Sequence, residues 1–307
     1  MQTEAPINLG QHHQVAMVGD LHGNGRWASH VNKAAAARGV SLLLQVGDLG
    51  VGPWPGESRS ARRPFGGFIR GLDDDLGQRG QRMIVTIGNH ENFDALDDAP
   101  RDDAGMIIIG EHIRVLPRPA RFTIGGPPSG TEDRLGSTAS GPGSSVIRSF
   151  GSLGGAPSVD LFHRKVGKSW WMQEQITEEH VAAVRADVRA NHSVDVMLSH
   201  DAPALTPAVS RIVDATPNPW PPEVVQYAER GRSLLSEAFH AWRPTVAFHG
   251  HYHVRDTAEV HGGVTGRPFE TPQGEPFTCR VESLAMDGVL GNAVLLDINT
   301  LDVSPLV

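Results

Sequence analysis

The sequence predicts an α/β fold, on three observations. Short apolar runs recur along the 307 residues, each closed by Gly, Asp or His. Between them lie stretches with the three-to-four-residue apolar spacing of amphipathic helices. Strands and helices that alternate in this way build a sheet with helices packed on it. Beyond residue 253 the helical spacing stops and β-like runs with Gly-rich turns take over, which predicts a terminal antiparallel part.

The apolar runs are Gln14–Val18, 42–46, 83–87, 106–109, 194–198, Val246–His249 and, near the end, 293–298. They are too short for helices and read as buried strands. The first helical pattern, 26–38, is Ala-rich; the second, 68–77, places Ile69, Leu72 and Leu76 on one face. Thr177 is placed as the N-cap of a third. Glu178 and Glu179 suit the positive end of its dipole, and Val181, Val184 and Val188 form its apolar stripe. Pro222 opens a fourth, since the first helical turn has no use for the missing N–H. That helix runs through Leu234, Leu235 and Phe239 to about Trp242, ahead of Pro244.

Two stretches interrupt the alternation. Residues 125–145 are dense in Gly, Ser, Pro and Thr and read as a surface insertion between two strands, with a substrate lid as the functional alternative. Residues 53–64 form a Pro-rich loop carrying Arg59, Arg62 and Arg63. Arginines beside a metal site can grip phosphate oxygens bidentately, which makes Arg62 and Arg63 candidate substrate contacts; solvated loop arginines are the plainer reading. There is no internal repeat, and 1–307 is expected to form a single domain carrying that insertion.

Composition narrows the function classes. With 39% apolar and 20% charged residues the chain reads as folded and globular. No run reaches the roughly 18 apolar residues of a membrane span, and the first eleven residues lack the features of a secretory leader. Cys279 is the single cysteine, so an intrachain disulfide is impossible and a reducing cytoplasm is the expected location. The net charge of −8 repels nucleic-acid backbones at long range and disfavours such a partner, although a locally basic cleft would override it. Nothing in the chain specifies an oligomeric state.

Five patches carry chemistry: Gly19-Asp20-Leu21-His22-Gly23, Gly47-Asp48, Gly88-Asn89-His90-Glu91, Ser199-His200-Asp201 and Gly250-His251-Tyr252-His253. Each follows an apolar run, where loops leave the C-terminal ends of strands in α/β sheets. Asp20 and His22, like His251 and His253, are two residues apart, which in an extended loop turns both side chains the same way. A single Gly-Asp or His-X-His is explained by a turn aspartate or a core histidine; five such patches behind strands are not. Together they supply enough Asp, Asn and His for two divalent metals side by side, the arrangement that activates a water against a phosphate ester. Asp201 reads either as an outer partner of a ligand or as a turn carboxylate, and Trp170 and Trp171 read as packing.

As a set these motifs resemble the calcineurin-like metallophosphoesterase superfamily, with its Asp-X-His, Gly-Asp, Gly-Asn-His-Asp/Glu, His and Gly-His-X-His pattern. The Gly154-Gly155-Ala156-Pro157-Ser158-Val159-Asp160 and Trp170-Trp171 stretch is similar, less specifically, to a bacterial and phage branch. The resemblance implies a four-layer α-β-β-α sandwich of two mixed sheets flanked by helices. It also implies one metal on Asp20, His22, Asp48 and His253 and another on Asp48, Asn89, His200 and His251, with Asp48 bridging. His90 would be the catalytic histidine that meets the phosphate or the leaving oxygen. Two divalent ions are implied, Mn²⁺ first, with Fe or Zn²⁺ as alternatives, acting on a small phosphoester substrate, monoester or diester. The chain departs from phosphoprotein phosphatases at Val51 and Gly52, where those enzymes carry the Asp and Arg of Gly-Asp-X-Val-Asp-Arg-Gly. The rival readings are a catalytically silent protein-binding scaffold, which would be expected to have lost ligands, and a metal-dependent nuclease.

Overall fold

Alternation along the strands sets the layering. In β2 (Gln14–Val18), Val15 and Met17 face one core while Ala16 and Val18 face another. In β3 (Leu42–Gln45), Leu42 and Leu44 part from Leu43 in the same way. A strand whose two faces are both apolar lies between two layers. The computed structural model describes residues 7–52, 65–128, 145–214, 220–262 and 276–307, and has two seven-stranded mixed sheets. One sheet runs β14 (Val303–Pro305), β13 (Ala293–Asp297), β2, β3, β4 (Arg82–Val85), β6 (Ile113–Val115), β5 (Ile107–Ile108). The other runs β1 (Ile7–Gln11), β7 (Ala120–Gly125), β8 (Ile147–Leu153), β9 (Val196–Ser199), β10 (Val246–His249), β12 (Phe277–Ser283), β11 (Asp256–Gly262).

Three apolar cores separate four layers. The middle one joins the sheets through Met17, Leu44, Phe122, Phe150, Leu198 and Phe248. The second packs α1 (Gly25–Ala37) and α2 (Gly66–Gln78) on the first sheet through Val31, Ala35, Ile69, Leu72 and Leu76. The third packs α4 (Glu178–Asn191) and α6 (Pro222–Trp242) on the second through Val181, Val184, Leu235, Phe239 and Trp242. Two shorter helices, α3 (Phe93–Asp97) and α5 (Pro207–Val213), complete the six among the described residues. The predicted α-β-β-α sandwich is therefore the fold. Thr177 caps α4 as expected, accepting from the His180 N–H while the His180 ring accepts from its own N–H.

Local differences from the sequence reading have simple causes. The strand expected at 194–198 instead spans Val196–Ser199, because Ser199 continues the ladder against Leu153. The terminal part is antiparallel in β11/β12 and β13/β2, as predicted, but β12 also pairs in parallel with β10. Trp171 is buried in the core against Phe93, and no helix among the described residues is long and apolar enough to cross a membrane. The 125–145 stretch begins at Gly125 of β7 and ends two residues before Ile147 of β8, with which Gly125 pairs; positions 129–144 lie outside the described residues.

Candidate metal centre

The first sheet delivers three of the patches and the second delivers two. Strands β2, β3 and β4 are parallel neighbours, so the loops bearing Asp20 and His22, Asp48, and Asn89 and His90 leave along one edge. Strands β9 and β10 are likewise parallel neighbours, and their exits carry His200, His251 and His253. The two edges meet: His200 Nε2 lies 3.2 Å from Asp48 Oδ1, and the His251 N–H donates to Asp20 at 3.2 Å.

Two groups of donors result, each with its atoms within 4.8 Å of one another: Asp20, His22 and His253, and Asp48, His200 and His251. Asp48 faces both. Its Oδ2 is 3.5 Å from His22 Nε2, while its Oδ1 is on the His200 side. Asn89 joins the second group, with Oδ1 3.0 Å from His200 Nε2. Asp48 Oδ1 and Asn89 Oδ1 therefore both lie against His200 Nε2, at 3.2 and 3.0 Å. Carboxylate, amide oxygen and imidazole without thiolate fit a borderline-hard divalent metal.

The backbone holds this arrangement in sparsely populated geometry. His22, Asp48, His251 and His253 all have positive φ, at 43°, 55°, 67° and 58°. Non-glycine residues in that region are strained by roughly 1–3 kcal/mol each and cluster at functional sites. Glycines beside them make room. A Cβ at Gly88 would strike the Asp48 backbone and carboxylate, and one at Gly250 would strike the Asp20 carboxylate. The buried Glu91 carboxylate accepts from Leu49, Gly50 and Val51 N–H at 2.8, 3.1 and 2.7 Å, which clamps the loop that carries Asp48.

Partners outside the two groups orient the rings and the amide. His22 Nδ1 meets Asp287 Oδ1 at 2.9 Å, and Asn24 donates to Oδ2 of the same carboxylate at 2.7 Å. His200 Nδ1 donates to the Val46 carbonyl at 2.9 Å, which leaves Nε2 for the centre. Asn89 Nδ2 donates to Ser158 Oγ at 3.0 Å, and Ser158 donates to Glu174 Oε2 at 2.6 Å. Glu174, fully buried, also accepts from Ser158 N–H, Trp170 Nε1 and Tyr227 OH. Asp201 is buried and accepts from Tyr252 OH at 2.8 Å, so it braces the residue between His251 and His253.

The charges follow from these contacts. Burial works against the Asp48 carboxylate, yet His200 and His90 and hydrogen bonds from His200 and His22 hold it well below the usual range. Burial likewise opposes a charge on His200, but Asp48 outweighs it and raises the imidazole to about 10. His22 is raised to about 9 against its burial, by Asp48 and then Asp287. Burial pushes His251 well below its ordinary value, and pushes His90 down as well.

All eight residues read from the motifs therefore come together: Asp20, His22, Asp48, Asn89, His90, His200, His251 and His253. Arg62 and Arg63 lie outside the described residues. Sequence reasoning missed Asn24, Ser158, Glu174 and Asp287. The Gly-rich 154–158 stretch was the one visible signal, and it pointed to no role.

No family model matches the chain, and no curated relative matches it. Among solved structures it is similar to a dimetal phosphatase from Danio rerio, at 9% identity and TM-score 0.45 over 95% of this chain and 92% of that one. It is similar to TT1561 of Thermus thermophilus at 9% identity and TM-score 0.44, over 96% and 99%. It is also similar to GAP50, the anchor in the inner membrane complex of Plasmodium, at 8% identity and TM-score 0.45, over 95% and 87%.

Proposed function

We propose that the chain is a dinuclear metal-dependent phosphoesterase. The observation that carries this reading is the Asp48 carboxylate, buried between two separate sets of imidazoles with one oxygen toward each. Asp20, His22, Asp48 and His253 would hold one ion; Asp48, Asn89, His200 and His251 would hold the other. Two divalent ions bound there supply Lewis-acid polarisation of the phosphoryl oxygens and a water acidic enough to attack phosphorus at neutral pH. Mn²⁺ is the first candidate, with Fe or Zn²⁺ next, because all three suit oxygen and imidazole donors.

The chain's own groups do the rest. Asp287 and the Val46 carbonyl hold His22 and His200 in the orientation that turns Nε2 inward. His90 Nε2, 3.8 Å from Asp48 Oδ2, is placed to hydrogen-bond the phosphoryl group or to give a proton to the departing oxygen. Hydrolysis breaks the P–O ester bond, and the products are a phosphate and an alcohol. The single buried Cys279, with no thiolate in the donor set, is compatible with a cytoplasmic enzyme.

A panel of phosphomonoesters and phosphodiesters, run on protein of measured metal content, tests the proposal. Turnover of at least one ester, abolished by chelation and restored by Mn²⁺, is expected. Hydrolysis that persists in fully chelated protein would refute it.

A further inference from the structure

Arg164 is a cation that the proposed chemistry leaves without a task. It follows a 3-10 turn at Leu161–His163, in the segment between β8 and α4, and its side chain is 10% exposed. Its Nε donates to Asp160 Oδ1 at 2.6 Å and its Nη1 to the Ser169 carbonyl at 3.1 Å. Both terminal nitrogens also abut the ring of His90, Nη2 at 2.8 Å from Nε2 and Nη1 at 3.3 Å from Nδ1. His90 Nε2 in turn faces Asp48.

The donor count is unbalanced. A guanidinium carries five N–H donors, whereas a neutral imidazole accepts one hydrogen bond. Asp160 and Ser169 take one donor each on their side, so N–H groups are left over at the His90 side of a nearly buried cation. Among the described residues its ion pair is with Asp160, away from that side. A planar fork fixed in place, with spare donors beside a metal centre, matches the geometry of phosphate recognition.

We propose that Arg164 binds a non-bridging oxygen of the substrate's phosphoryl group and thereby biases the site toward phosphomonoesters; this rests on the phosphoesterase reading above. When a phosphoryl oxygen arrives, it replaces the His90 ring as acceptor of the Arg164 Nη2 N–H. His90 is thereby released from Arg164, and no covalent bond changes at Arg164. A phosphomonoester dianion has three unsubstituted oxygens and two charges, enough to serve the metal centre and Arg164 together. A diester has two such oxygens and one charge, so it forgoes one of these contacts.

The test uses the full chain loaded with Mn²⁺. Calorimetry reads the Kd of inorganic phosphate, beside kcat/KM for p-nitrophenyl phosphate and bis(p-nitrophenyl) phosphate. Arg164→Gln can still bond Ser169 and His90 and is expected to keep its metal. Its phosphate Kd should rise about 10- to 100-fold, the span of a charge-assisted hydrogen bond. Its kcat/KM should fall by a similar factor on the monoester and by less than about threefold on the diester. Arg164→Lys, which keeps the charge without the fork, should lie between wild type and Gln. Unchanged phosphate affinity in both variants, or equal losses on the two esters, would make Arg164 a support for His90 and overturn the proposal. If the Gln variant does not fold or hold metal, the Lys variant decides: weakened phosphate binding at full metal content supports the proposal, wild-type binding overturns it. If wild type hydrolyses neither ester, the phosphoesterase reading fails alone, and the phosphate Kd of the variants still decides the role of Arg164.

Discussion

Replacing Ser158 by Ala should weaken one metal site and leave the other intact. Ser158 Oγ gives its hydrogen to Glu174 Oε2, at 2.6 Å, so the lone pair must face Asn89 Nδ2 at 3.0 Å. That contact fixes the amide the other way round, with Oδ1 toward His200 and the second donor group. Without the hydroxyl, the Asn89 Nδ2 donor and one Glu174 oxygen each lose a partner in a buried setting. An unsatisfied buried donor costs about 1–3 kcal/mol, which for a chain of this size lowers Tm by about 1.5 °C per kcal/mol. The amide is then free to flip and to present Nδ2 to the cation. Loss of a group that orients a ligand costs about 10- to 100-fold in metal affinity. A two-step Mn²⁺ titration followed by calorimetry should show one Kd raised by that factor and the other unchanged. Combining Ser158→Ala with Glu174→Gln should add little further loss, because both break one relay. Two unchanged Kd values in Ser158→Ala would refute the claim that this relay presents Asn89.

The mirror experiment is Asp287→Ala. It frees His22 Nδ1 and should raise the Kd of the other ion about 10- to 100-fold, with the Asn89 site unaffected; unequal steps in the same titration check it. His90→Ala should retain both ions yet lower turnover roughly 10²–10⁴-fold, with alkyl esters slowed more than esters of good leaving groups; elemental analysis paired with a leaving-group series reads both. Metal uptake should release protons at pH 7. His200 at about 10 and His22 at about 9 are charged in the metal-free protein, and a cation must displace those protons. Since both values are raised, their contribution to metal-free stability is full below the ordinary value near 6.5. It is lost as pH rises through about 9 to 10, while metal affinity climbs over the same span. Potentiometric titration during Mn²⁺ addition, repeated at pH 7 and above pH 10, should show the release shrinking.

The parts legible in the sequence are the local ones. Asp20, His22, Asp48, Asn89, His200, His251 and His253 each sit a few residues past an apolar strand, so strand pattern and motif position them together. The supporting partners are far away in sequence. Asp287 lies 265 residues from His22, Arg164 lies 74 from His90, and Ser158 lies 69 from Asn89. No periodicity links such pairs; only the folded sheets bring them into contact. Strands were hidden in the same way. The β8 segment is not among the expected strands, and Gly151 interrupts its apolar run; the Trp242 indole of α6 packs against that glycine and occupies the place of its side chain. In β7 buried Ala120, Phe122 and Ile124 alternate with the half-buried Arg121 and Thr123, a period-2 signal that runs directly into the Gly-rich stretch. The left-handed backbone at four of the metal-facing residues has only a weak sequence signal, since Asp and His are enriched there but mostly lie elsewhere.

Asp48 joins the two halves of the proposed centre, because among the described residues it is the one donor placed toward both groups. The direct measurement is metal stoichiometry, by elemental analysis of Mn²⁺-loaded wild type and of Asp48→Asn. About two ions per wild-type chain are expected, and in the variant a loss of metal together with ester hydrolysis. One ion per wild-type chain, or an Asp48→Asn protein that keeps two ions and full turnover, would contradict the bridging role.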